Sequence, residues 1–118
     1  DSLSCLHALE HFGLGRYNDP IEFDGYLDGL NSMYKILKQG GVLYLSVPIG
    51  RQRVEFNGQR VFSVRYLLRL FKDKYTINNF SFVDDKGDLH KNVRMNDRDI
   101  DRNFDCHYGC GTFEMTKL

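Results

Sequence analysis

The sequence predicts a single α/β domain over residues 1–118, built on a mixed sheet of four strands with flanking helices. Three observations carry that expectation. Tyr26, Leu27, Leu30, Met33, Tyr34 and Leu37 recur at helical spacing and make one apolar stripe. The stripe ends at Gly40-Gly41, and Val42 to Val47 follows at once with apolar side chains at nearly every position, as in a strand covered on both faces. Strand and helix then alternate again downstream, which is the pattern of parallel strands joined by helices.

The elements follow in order. Ser2 to Leu6 is short, apolar at alternate positions and reads as a strand. Leu6 to His11 suits a brief helical turn before Gly13 and Gly15, and Gly13 to Phe23 reads as a loop. Asp24 is suited to cap the first helix, expected over 24–38. Gly29 weakens that helix by about 1 kcal/mol relative to alanine, which close packing on a sheet would explain. Gly40 is placed as its left-handed cap, since glycine takes positive φ without steric cost. The strand from Val42 is expected to stop at Pro48, and Ile49 to Val61 reads as polar and irregular. Ser63 caps a second helix over 63–72, with Leu67, Leu68 and Phe71 on its buried side. Tyr75 to Val83 alternates as a strand through Tyr75, Ile77, Phe80 and Phe82, and Asp84 to Asp88 reverses the chain. Leu89 to Asp105 is highly charged and carries no clear period. Gly109 to Lys117, with Phe113 and Met115 on alternate positions, is the final strand.

Composition narrows the function classes. Sixteen basic and sixteen acidic residues balance, so bulk charge does not call for nucleic acid. No apolar run approaches the roughly 20 residues that span a bilayer, and no signal peptide is visible, so no membrane partner is expected. Three cysteines are an odd count, which favours a reducing, cytoplasmic setting over a disulfide framework. The chain opens on a strand without an initiator Met and reads as the second half of something larger.

With those motifs in that order, the chain resembles the C-terminal half of a class I S-adenosylmethionine-dependent methyltransferase, a Rossmann-like fold. Asp1 to His11 looks like its fourth strand and the Leu-Glu-His turn behind it, and Leu37-Lys38-Gln39-Gly40-Gly41 looks like its Leu-Lys-Pro-Gly-Gly turn with Gln39 in place of Pro. The segment from Tyr75 to Lys117 matches the antiparallel last strand of that fold. More narrowly, His7 to Tyr17 and Ser46 to Gly50 resemble a domain-of-unknown-function family of the DUF268 type. The resemblance implies S-adenosylmethionine as cofactor in a full-length parent and a small-molecule or sugar-type substrate. It also implies a Gly-rich loop after a first strand and an acidic residue ending a second. Neither is found in this chain, and Gly13-Leu14-Gly15 follows the wrong strand to replace the loop.

Open α/β sheets bind ligands outside the carboxyl ends of their parallel strands, which puts the loops after Cys5 and Val47 at the functional edge. Ser4, Cys5 and Leu6 would face the cofactor there. His11 is the candidate general base on a substrate hydroxyl or amine, oriented by Glu10. Local pairing of Glu10 and packing of His11 is the plainer alternative. Arg16, Tyr17, Asn57 and Arg60 are candidate substrate contacts, against the commonness of exposed arginines. A zinc site from Cys106-His107-Tyr108-Gly109-Cys110 with Cys5, His7 and His11 is a second class of reading, but one Cys pair falls short of a tetrahedral set, so no metal residue is assigned. A third class is a catalytically silent domain that acts by association. Residues 2–6 would then form an uncovered edge through which two copies join as a homo-oligomer.

Overall fold

A computed structural model describes residues 2–6, 25–55 and 59–118. Strand β1 (Ser2–Leu6), helix α1 (Gly25–Ile36) and strand β2 (Val42–Ile49) come first, then a hairpin of β3 (Arg53–Glu55) and β4 (Gln59–Val61). Helix α2 (Val64–Phe71), β5 (Tyr75–Val83), β6 (Leu89–His90), the short α3 (Asp97–Asp101), a 3-10 turn (Asn103–Asp105) and β7 (Gly109–Lys117) complete the chain.

The main sheet is mixed as expected, but it has five strands rather than four, in the order β1-β2-β7-β5-β6, and β3–β4 form a second ladder. The extra strand is β6, a two-residue addition opposite Phe82 and Val83 that lies in the charged segment without a period. β1 and β2 are parallel, and β7 is antiparallel to both β2 and β5. β2 and β5 therefore run the same way with the last strand threaded between them. The two helical crossovers, β1 to β2 and β2 to β5, move in one direction across the sheet, so connections of the same hand put α1 and α2 on one face.

That shared face holds the core. Leu43, Leu45, Val47 and Ile49 of β2 are fully buried, as are Phe113 and Met115 of β7. Phe113 sits at the centre, with ring centroids 5.2 Å from Phe71 of α2 and 4.8 Å from Phe80 of β5. The expectation that β2 is covered on both faces holds only in part: its opposite face buries Ser46 and Pro48 but leaves Tyr44 exposed. β5 explains an oddity of its sequence. Apolar residues at 75 and 77 change phase to 80 and 82, and a bulge between Ile77 and Asn79 absorbs the extra residue.

Pro48 does not stop β2. Its carbonyl accepts from Phe62 N at 3.0 Å, and N–H and C=O of one strand residue face the same edge. The missing donor thus falls where β1's pairing ends, opposite Ser46, and the Ile49–Phe62 bridge begins. The segment expected to be irregular contains the β3–β4 hairpin. Helix α1 ends at Ile36, so Gly40 (φ 83) is not its cap. It lies in the following turn, closed by Gly41 N donating to Lys38 O at 2.8 Å. The end of α1 is held by Lys117 of β7, whose Nζ donates to the Tyr34 and Leu37 carbonyls at 2.5 and 2.7 Å.

The N-terminus of α2 is capped by Ser63 as expected, its Oγ accepting from Tyr66 N at 3.1 Å. Two residues distant in sequence reinforce it. Gln52 Oε1 accepts from Ser63 N at 2.7 Å, and Asn103 Oδ1 accepts from Val64 N at 2.8 Å. Ser63→Ala is expected to cost about 1 kcal/mol in urea unfolding with an unchanged m-value. A neutral result would mean that the distant partners carry the cap alone.

Candidate functional site

β1, β2 and β5 all end at the same edge of the sheet, with Leu6, Ile49 and Val83 as their last residues, and β7 begins there at Gly109. The N-termini of α1 and α2 rise from this edge, because both helices return across the sheet antiparallel to the strands. Two clusters form along it.

The first lies under the β3–β4 hairpin. Arg60 is only 3% exposed, and its guanidinium carbon stands 4.6 Å over the Tyr26 ring. A buried guanidinium over an aromatic face gains a cation–π attraction that strengthens as water is removed. Tyr26 meets Phe62 edge-on at 5.3 Å, and its hydroxyl bonds that of Tyr66. Arg60 therefore joins β4 to the first turn of α1, and Tyr26 carries the link on to Tyr66 in the first turn of α2.

The second lies at the end of β5. Asp84 Oδ1 accepts from Lys86 N and Asp88 N, both at 2.9 Å, and Oδ2 lies 2.8 Å from His90 Nε2. His90 stacks on Phe82 at 4.5 Å, with the rings 11° from parallel. The His90 contact, then the Asp88 and Lys86 amides, hold the Asp84 carboxyl below the ordinary carboxylate range. A cleft of about 530 Å³ opens here, with Phe82 and Phe104 among its lining residues and Asp88 beside them.

Asp85 ties this turn to β7. Its two oxygens accept from His107 N and Tyr108 N, each at 2.8 Å, and those amides hold its carboxyl low. A pKa depressed in the folded state contributes stability that is present above the ordinary carboxylate range. That stability is lost as pH falls through the depressed value. Asp85→Asn is expected to flatten the stability profile between about pH 5 and pH 2, measured by urea unfolding across that range. An unchanged slope would remove Asp85 from the acid response.

The candidates read from the sequence fall as follows. Glu10, His11, Arg16, Tyr17 and Asn57 lie outside the described residues, as does Asp24. Arg60 is at the functional edge but buried. Cys5 is 8% exposed and joins the core beneath the helices, whereas Ser4 and Leu6 alternate to the opposite face, Leu6 at 57% exposure. The cysteines of the zinc reading diverge. Cys106 joins the core, where burial and then nearby Asp85, Asp84 and Asp105 push its thiol up to about 11. Cys110 Sγ instead lies 3.1 Å from Ser46 Oγ. Among the described residues no three His, Cys, Asp or Glu side chains are grouped to hold a metal ion. No described helix is long and apolar enough to cross a membrane. Tyr26, Tyr66, Asp84, Asp85 and His90 were not legible as site residues, although the turn carrying Asp84 and Asp85 was.

Fold and edge together define an α/β domain with a mixed sheet whose parallel strands end at one rim. The family model described as Caenorhabditis protein of unknown function, DUF268, matches residues 1–118, and the chain belongs to that family. No curated protein and no solved structure matches it.

Proposed function

We propose that the chain supplies the C-terminal half of an S-adenosylmethionine-dependent methyltransferase-like fold, and that the full-length protein methylates a small-molecule or sugar-type acceptor. The observation that supports this reading is the last strand. β7 lies antiparallel between two strands that are parallel to each other, in keeping with the closing segment of the fold that the sequence resembles. The cofactor would supply the methyl group. The described residues do not by themselves make its cradle, because Cys5 is turned into the core and Leu6 offers one exposed apolar side chain at the strand end. On this reading the chain's own share is the acceptor. His11, oriented by Glu10, takes the acceptor proton, and Arg16, Tyr17 and Asn57 bind the acceptor, with Arg60 holding the hairpin against α1.

Calorimetric titration of S-adenosylhomocysteine into this chain and into the full-length protein tests the reading. Little or no binding to the chain and micromolar binding to the full-length protein are expected. No heat from either sinks it. A silent domain that associates through β1 is the second reading, favoured by the absence of any described strand on β1's outer side. A sedimentation profile that stays monomeric at high concentration would reject it.

A further inference from the structure

β5 has an outer edge that is mostly open. β6 pairs only with Phe82 and Val83, and Val93 N donates to Phe80 O at 2.8 Å. From Tyr75 to Asn79 no described strand runs beside it. The outward N–H and C=O groups of such a segment are a template for another strand.

Two grooves meet at that edge. One, of about 390 Å³, runs between α2 and β5, with Leu68, Phe71 and Ile77 among its apolar lining and Arg65, Arg69 and Lys72 as its charged residues. The other, of about 330 Å³, shares Ile77 and is lined by Asn78, Asn79 and Asn92. Among the described residues no carboxylate lines either groove. Arg65 is held by Asp97 and Asp101, each at 2.9 Å, whereas Arg69 and Lys72 are exposed and have no ion pair among the described residues. A free edge beside an apolar, cationic groove combines main-chain hydrogen bonding with side-chain selection.

We propose that this edge receives an extended acidic peptide from a protein partner, added as a further strand on β5 with its acidic side chains toward Arg69 and Lys72. The charges also argue against the simplest competitor. A second copy pairing through the same edge would present its own residues 75–79, which contain no carboxylate, to the cationic groove. An acidic strand brings the countercharge for Arg69 and Lys72 that a second copy lacks. The inference does not depend on methyl transfer.

The test titrates the whole chain with two capped hexapeptides, one alternating Glu with Val and one alternating Lys with Val, while amide hydrogen exchange is followed by NMR. The acidic peptide is expected to bind and to slow exchange of amides within 75–80, and the basic one to do neither. Arg69→Glu with Lys72→Glu, both on exposed side chains, is expected to weaken the acidic peptide about tenfold or more and to reverse the preference. Circular dichroism confirms that the variant is folded. The proposal is overturned if the acidic peptide does not bind, if it binds without protecting 75–80, or if both peptides bind alike. It is equally overturned if anionic lipid vesicles protect these amides in place of the peptide, or if protection rises with protein concentration alone.

Discussion

Phe113→Ala is expected to lower stability by about 4 kcal/mol, a large share of the 5–15 kcal/mol typical of a domain. Phe113 is fully buried on the middle strand, opposite Leu45 on one side and Phe80 on the other. Its ring also meets Phe71, so truncation opens a hole that α2, β2 and β5 all border. These strands are pinned by ladders on both sides of β7, which limits how far the hole can collapse, and the cost approaches transfer plus cavity. Phe113→Leu retains much of the volume and is expected to cost less than half as much. Urea unfolding of both variants decides the matter. A loss near 1 kcal/mol for alanine would mean that the helices settle into the hole and that the sheet is less rigid than its pairing implies.

Gly50→Ala is expected to cost about 3 kcal/mol, for a different reason. A Cβ at Gly50 would stand 2.2 Å from His107 O and 2.9 Å from its carbonyl carbon. The obstacle is backbone, and that carbonyl also accepts from Arg53 Nη2 at 3.0 Å, while the amides of His107 and Tyr108 are held by Asp85. Relief therefore requires the entry to β7 to move away from the end of β2. Gly87→Ala provides the contrast. Gly87 has φ 88 but open space around its Cβ position, so only backbone strain of about 1–2 kcal/mol is expected. Thermal melting that ranks Gly87→Ala as the more damaging substitution would show that the His107 carbonyl yields readily.

Much of the fold was legible because local physics states it. The Tyr26–Leu37 stripe gave α1 to within a residue or two, Ser63 marked the start of α2, and the Asp84–Asp88 run marked the reversal after β5. The errors have local causes too. Pro48 carries a strand-stopping signal, yet its missing donor faces an interval between two partners. Gly40 carries a helix-ending signal that serves a turn. The β3–β4 hairpin and β6 were missed because strands of two or three residues have too few positions to show alternation. At the candidate site, Arg60 was picked out by its position in a polar stretch, but burial at 3% exposure depends on Tyr26, 34 residues earlier in the chain.

The sequence by itself determined the order of the longer strands and helices, the apolar stripes of α1 and α2, the capping of α2 and the turn that ends β5. Those are set by periods of two or 3.6 residues and by the steric and hydrogen-bonding habits of single residues. Only the tertiary structure decided that β7 lies between β2 and β5, that Lys117 closes α1, that Asp85 grips the amides of His107 and Tyr108, and that Gly50 must leave room for a carbonyl 57 residues away. Each of these joins groups far apart in the chain. Their meeting depends on how the whole sheet assembles, and no local pattern records it.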